Sequence, residues 1–278
     1  MKTKDELFNL RGKICVITGG AGLLGKKHAE AVLIGGGTPV LLGRNMDKLA
    51  AVREEFLKQG YNGFINCYSC DITDKSVIED TCQQIVERHR RVDVLINNAA
   101  NNPKVEDGFN VSDANGFLTF PAENWKKDIS VGLTGAFYCC QIFGKVMEKQ
   151  GEGIILNISS DYGILAPDQR LYEVEGVPEG QQKKKPVTYS VVKHGIIGLT
   201  KYLATYWGDK GIRTNTLCPS GIYDGQDDVF VSKFIKNVPM GRMSEPDDYI
   251  GTILYMISDA SAFMNGATVV IDGGKSIW

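Results

Sequence analysis

Short, continuous apolar runs alternate with helix-period segments from one end of the chain to the other. The runs are Lys13–Thr18, Pro39–Gly43, Phe64–Cys70, Val92–Asn97, Gly153–Ser159, Ile212–Cys218 and Ala267–Ile271. Runs this short and this rich in Val and Ile predict strands buried on both faces. Between them, apolar positions recur at helical spacing around residues 22–35, 46–59, 74–90, 122–149, 187–207 and 246–258. Such alternation predicts right-handed βαβ units and an α/β fold, with helices on both faces of a doubly wound, seven-stranded parallel sheet. No repeat or linker divides the chain, so residues 1–278 are expected to form a single domain. Two connections, 101–121 and 167–186, exceed the short loops such units need. Either can be a tolerated surface insertion. Both follow C-terminal strand ends, where open α/β sheets bind ligands, and that position favours a functional reading.

Composition narrows this picture only slightly. The 278 residues are 43% hydrophobic and 23% charged, with a net charge of −2. That balance suits a soluble globular protein and offers no electrostatic case for nucleic acid or an anionic membrane. No apolar run approaches the roughly 20 residues that span a bilayer. The segment Met1–Glu6 is charged and has no signal-peptide character, so a cytoplasmic protein is expected. Seven cysteines in a chain of this length are not a disulfide framework. Cys67 and Cys70 would face opposite sides of a strand, with no second ligand pair, so no metal is expected.

Candidate chemistry gathers at the strand ends. Thr18-Gly19-Gly20-Ala21-Gly22-Leu23-Leu24-Gly25 follows the first strand and opens the first helix. Glycines there permit a tight turn and let a pyrophosphate approach the backbone and the helix N-terminus. The second strand ends in Arg44, with no acidic residue to accept from an adenosine ribose. Arg44 can pair with a 2′-phosphate, which favours NADP(H) while leaving NAD(H) possible. After the third strand, Asp71 either bonds an adenine amine, with Ile72 against the ring, or serves as a local turn residue. Asn97-Asn98-Ala99-Ala100 ends the fourth strand, where small residues let a cofactor lie on backbone and an Asn can tie neighbouring strands.

Ser159-Ser160 ends the fifth strand, and Tyr189 and Lys193 follow four residues apart on a predicted helix. That spacing puts phenol and ammonium on one face. The ammonium favours the phenolate, so Tyr189 is expected to exchange protons nearer neutral pH and act as a general acid/base. A Ser hydroxyl nearby can stabilise charge developing on a carbonyl oxygen. Asp161, directly after Ser160, is a candidate substrate contact. His194 is predicted to point off the Tyr/Lys face.

Taken together, these motifs resemble the short-chain dehydrogenase/reductase superfamily in its compact, single-domain branch, from about residue 10 to the C-terminus. The resemblance implies a three-layer Rossmann fold and NAD(P)-dependent interconversion of a secondary alcohol and a ketone. It implies that Tyr189 is the acid/base, that Lys193 lowers its pKa and binds the nicotinamide ribose, and that Ser160 orients the carbonyl. Thr18, Gly19, Leu24 and Gly25, with Gly22 in the same turn, would sit under the pyrophosphate. Asp71 and Ile72 would hold the adenine, Asn98 and Ala99 would lie beside the adenosine ribose, and Pro219 and Ile222 would approach the nicotinamide. A homotetramer or homodimer is implied, together with a small-molecule substrate.

The departures from that family matter. Gly19, Gly22 and Gly25 have the spacing of its extended branch, and Leu23 occupies the usual middle glycine of the compact one. Ala100 and Ser220 stand where glycines are usual. Asp224 stands where a threonine often contacts the cofactor, so that contact is not carried over. Gly132 falls where many members place an Asn holding a relay water. The stretch between Ser160 and Tyr189 is long and polar. Folded over the site, it would suit a hydroxylated or anionic substrate; its Lys run can also be simply solvated. Tyr223–Met240 falls where the family keeps a substrate lid. Segments at 221–227, 239–243 and 272–278 are similar to bacterial members of nonulosonate and other surface-sugar pathways. Reduction of a ketoacyl or other small ketone is an alternative. A nucleotide-binding sensor without turnover is another, invited by Gly132 and opposed by intact Ser160, Tyr189 and Lys193.

Overall fold

The structure is a computed structural model that describes residues 2–61, 64–101 and 116–277. Seven parallel strands form one sheet in the order β3-β2-β1-β4-β5-β6-β7. They are β1 (Ile14–Thr18), β2 (Thr38–Gly43), β3 (Asn66–Ser69), β4 (Val94–Asn97), β5 (Gly153–Ile158), β6 (Ile212–Pro219) and β7 (Thr268–Ile271). The order turns back between β1 and β4, which opens a crevice above their C-terminal ends. The expected doubly wound sheet is therefore present, with β3 shorter than its apolar run. β3 lies at the sheet edge, and Phe64 beside it is exposed.

Period-two alternation divides the core. Cys15, Ile17, Leu41 and Leu156 pack under α2 (Leu23–Ile34), α3 (Met46–Lys58) and α9 (Ile250–Met256). Val16, Val40, Leu42 and Ile155 pack under α4 (Lys75–His89), α6 (Gly135–Gln150) and α7 (Val187–Tyr206). Cys67 and Cys70 belong to opposite clusters, and all seven cysteines are free. Two further short helices are α1 (Lys4–Leu7) and α8 (Asp228–Ile235). Sequence reading missed α1, which a Thr3/Glu6 capping box starts.

The long helix expected at 122–149 is not uniform. It is α5 (Ala122–Ile129), a π-helical turn at Ser130–Thr134, then α6. By length and composition alone, Ala122–Gln150 could cross a membrane, contrary to the expectation that no such run exists. Here its apolar face is used on the sheet through Cys139, Cys140, Phe143 and Met147. Gly132 sits in the π turn, where a Cβ would lie 2.5 Å from Val192 Cγ1 of α7. A side chain at 132 therefore has no room, and the close approach of the π turn to α7 is the physical reason for the glycine.

Gly132→Ala is expected to destabilise the protein by about 1–3 kcal/mol through overpacking. Adding Val192→Ala should recover part of that loss. Urea unfolding measures both, and a Gly132→Ala protein as stable as wild type would contradict the contact.

Candidate active site

The glycine turn is built by close approach. Gly19 has φ +64°, and a Cβ on Gly25 would lie 2.2 Å from the Gly19 carbonyl oxygen. α2 can thus begin directly beneath the turn. Its N-cap, Gly22, contributes no side-chain hydrogen bond, and the first turn holds no acidic residue. The helix N-terminus therefore keeps its N–H groups and dipole for an anion. A cleft of about 740 Å³ opens there, with Gly19, Gly22 and Leu24 on its wall. Thr18 and Gly25 stand behind the turn and do not line the cleft. Thr18 is buried, and its hydroxyl accepts from Asn98 N at 3.0 Å and Ala99 N at 3.1 Å, tying β1 to β4.

Arg44, Asp71, Ile72, Asn98 and Ala99 also line the cleft. Lys48, one turn from Arg44 on α3, lines it too and adds a second cation at the end of β2. Sequence reading missed Lys48, which lies in the first turn of α3. The Asp71 carboxylate accepts from Thr73 N at 2.9 Å and Thr73 Oγ1 at 2.8 Å, so it makes the local turn. The Asn98 amide donates to the carbonyls of Thr18 and Gly19, and its oxygen lies 3.1 Å from His28 Nε2. His28 is fully buried, and desolvation pushes its pKa down to about 4 even with the Asn98 bond. It is a neutral imidazole that props Asn98 against the glycine turn.

At the end of β5, Ser160 is buried and lines the same cleft as Tyr189, whose pKa its hydroxyl acts to lower. α7 reaches this place through a buried polar line. Asn97 donates to Asn157 at 2.8 Å, Asn157 donates to Thr200 of α7 at 2.8 Å, and Ser159 Oγ donates to the Lys193 carbonyl at 2.7 Å. The Lys193 ammonium bonds the Ile158 carbonyl at 3.0 Å and lies 5.7 Å from the Tyr189 ring centroid. Burial pushes Lys193 down to about 8. Burial also pushes Tyr189 up to about 12, against the expectation that Lys193 would depress it. Desolvation outweighs the lysine, whose amine is bonded to a backbone carbonyl and not to the phenol. His194 turns away to the Ser190 carbonyl.

The family model described as short chain dehydrogenase matches residues 13–172, which include the glycine turn and Ser160. A second model, described as enoyl-(acyl carrier protein) reductase, matches residues 176–276. The chain belongs to the short-chain dehydrogenase/reductase family. It is an oxidoreductase of CH–OH groups that binds a nicotinamide dinucleotide. D-threitol dehydrogenase of Mycolicibacterium smegmatis is 28% identical over 98% of this chain and 96% of its own. The ribulose-forming D-arabinitol 2-dehydrogenase of Candida tropicalis is 30% identical over 98% and 95%. A short chain dehydrogenase from Leptospira borgpetersenii, solved with bound NAD+, superposes with a TM-score of 0.80 at 27% identity, covering 100% and 97% of the two chains. The cleft fits such a cofactor: the uncapped helix, the close-packed glycines and Arg44 with Lys48 provide donors for phosphate groups at one end, and Tyr189 and Lys193 lie at the other.

The substrate end of this dehydrogenase is walled by the 167–186 connection. Leu171 packs with Phe234 of α8, Val238 and Met243, and the Tyr172 ring lies 5.8 Å from that of Phe230. The connection therefore docks on α8 through apolar residues and sends Tyr172 and Lys185 into the cleft. The Lys185 ammonium stands 4.1 Å from the Tyr189 ring centroid. Pro219 and Ile222 line the opposite side, with Ser220, Asp224 and Gln226. Most of the 101–121 connection, residues 102–115, lies outside the described residues. Its first residue, Asn101, donates to Asp128 at 3.2 Å, and both border a cavity of about 10 Å³ beside Gly132, Tyr189 and Lys193. Among the described residues, no cluster of acidic, His or Cys side chains could hold a metal ion.

His28 makes a pH prediction. Between its folded pKa of about 4 and the ordinary 6.5, the unfolded chain binds a proton that the folded one refuses. Stability should therefore fall as pH drops through that window, by about 3 kcal/mol in total. His28→Gln, which keeps a donor toward Asn98, should lose that component. Urea unfolding across the window tests this, and an unchanged acid slope would refute it.

Proposed function

We propose that this dehydrogenase interconverts a polyol and the matching keto sugar, with Tyr189 as acid/base, Ser160 holding the reacting oxygen, Lys193 supporting the phenolate and NADP(H) as the preferred cofactor. The gathering of Ser160, Tyr189 and Lys193 on one cleft wall carries this reading. The two hydroxyls converge where one oxygen of a carbonyl or alcohol can meet both. When bound, the nicotinamide supplies or accepts the hydride. In the reducing direction Tyr189 gives its proton to the oxygen, and a phenol held near 12 keeps that proton until charge develops. Lys193 and Lys185, 5.7 and 4.1 Å from the ring centroid, are the cations placed to balance the phenolate. In the oxidising direction Tyr189 takes the proton from the alcohol.

Several features support a polyol. Tyr172, Lys185, Ser220, Asp224 and Gln226 give the substrate end hydroxyl, amine, amide and carboxylate groups suited to vicinal hydroxyls. Relatives along the whole chain bear the names of polyol dehydrogenases. Arg44 and Lys48 together support NADP(H), because a 2′-phosphate offers each a charge-assisted bond. A cytoplasmic location and assembly as a homotetramer or homodimer complete the proposal. Exposed Phe137 on α6 and Tyr202 and Tyr206 on α7 offer apolar surface for such contacts.

Turnover is tested with D-threitol, D-arabinitol, xylitol and gluconate, their keto products, and an acetoacetyl thioester. Tyr189→Phe should lower kcat by about 10²–10⁴-fold while NADPH still binds. Undiminished turnover in that variant would end the mechanism, and turnover of the thioester alone would replace the polyol reading. Arg44→Ala should weaken NADPH binding by about tenfold or more and leave NADH unchanged. An NADPH affinity that does not move would remove the 2′-phosphate contact.

A further inference from the structure

Directly behind Ser160 lies a buried ion pair. Asp161 and Lys275, 2% and 9% exposed, meet at 2.8 Å. An ionised carboxylate only accepts hydrogen bonds, so the donors around Asp161 are fixed. Ser160 Oγ donates to its Oδ1 at 2.8 Å, as does Tyr162 N at 2.8 Å. Lys275 Nζ donates to Oδ2 at 2.8 Å, and Ser220 Oγ at 3.2 Å. The carboxylate expected to contact substrate is thus committed to protein groups. With its proton on Asp161, Ser160 is an acceptor, and Tyr162 N already donates to it at 3.2 Å. Its remaining lone pair can accept from the Tyr189 phenol or an alcohol, and donation to a carbonyl oxygen requires the hydroxyl to turn from Asp161.

Lys275 is itself held. Its ammonium lies 4.4 Å from the Tyr162 ring centroid and 4.7 Å from that of Phe234 in α8. The Asp272 carboxylate accepts from Gly274 N at 3.0 Å and Ser276 N at 2.8 Å, which shapes the C-terminal turn. A Cβ on Gly274 would meet Pro239 Cγ at 2.9 Å, so the turn has little room to shift. The last turn of the chain therefore links α8 to the serine through one lysine and one carboxylate.

We propose that Asp161 and Lys275 are positioning residues for the Ser160–Tyr189 pair: the carboxylate sets the direction of the Ser160 hydroxyl, and the lysine of the C-terminal turn cancels the charge that the carboxylate would otherwise impose on the phenol. This rests on Tyr189 being the acid/base. The charge of Asp161 raises the pKa of Tyr189, and its field is felt through a water-poor site. The other titratable groups facing Tyr189 are Lys185 and Lys193 against its ring, Tyr162 edge-on at 6.3 Å, and Asp128 across the small cavity. Of these, Tyr162 touches both Asp161 and Lys275, so Tyr162→Phe in each background isolates their effect on Tyr189.

The phenol can be followed without substrate, by carbon NMR of tyrosine labelled at the hydroxyl-bearing ring carbon, with Tyr189→Phe assigning the resonance. Asp161→Asn, which keeps the shape and leaves Lys275 in place, should lower the Tyr189 midpoint by about one pH unit, a tenfold change in proton affinity. Lys275→Met should raise it, so that the phenol stays protonated through the alkaline range in which wild type titrates. The double replacement should return it toward wild type. If Lys275→Met does not fold, Lys275→Gln, a neutral donor to Asp161, carries the same expectation. Opposite shifts from the two singles support the proposal, because a merely structural role would not produce them. A midpoint unmoved in Asp161→Asn, with native NADPH binding, overturns it. Failure of the polyol reading shows separately, as absent turnover in wild type.

Discussion

The site depends on a buried line of hydrogen bonds that runs across the sheet and into α7. The parallel register sets Asn97 opposite Asn157 and Asn157 opposite Thr216. Asn97 bonds Asn157, Asn157 bonds Thr200 of α7, and Thr216 bonds the same Thr200 at 2.7 Å. Buried amides and hydroxyls left without partners would each cost about 1–3 kcal/mol, so this line tolerates little slippage. It fixes how far α7 lies along β5. That register decides whether Tyr189 and Lys193 stand beside Ser160 or a turn away from it. A purely apolar seam between helix and sheet would specify the distance well and the register poorly.

Around that register the site is arranged by desolvation more than by pairing. Burial holds the phenol of Tyr189 up at about 12 and the amine of Lys193 down at about 8, so each resists its charged form. A water-poor site makes every charge expensive and every compensating charge effective. The Asp161–Lys275 pair is buried beside Ser160, and the Asp161 charge acts to raise the Tyr189 pKa. Such a pair contributes little net stability, since desolvation offsets its attraction, but either partner alone would be costly.

The walls of the cleft obey different physics. The connection at 167–186 is polar in sequence, yet it is held to α8 by Leu171 and Tyr172, which pack with Phe230, Phe234, Val238 and Met243. The polar residues are those left facing solvent or the cleft. One small apolar cluster thus joins an insertion and a short helix that are far apart in sequence, and Lys275 beneath Phe234 ties that cluster to the catalytic strand end.

Much of this was legible along the chain. Period-two and period-3.6 patterning determined the strand–helix alternation and hence the parallel sheet, because burial on both faces leaves a continuous apolar run. Local spacing determined that Tyr189 and Lys193 share a helix face, and the glycines at 19, 22 and 25 marked a turn that packs backbone on backbone. The tertiary structure alone decided the partners that come from distant segments. Lys275 lies 114 positions from Asp161, and no local pattern marks such a pair. It alone decided that Gly132 answers to Val192 and that His28 props Asn98. Above all, the direction of the Tyr189 shift was undecidable from spacing. Helical geometry brings a lysine near a tyrosine, but the depth at which the fold buries both determines which charge survives.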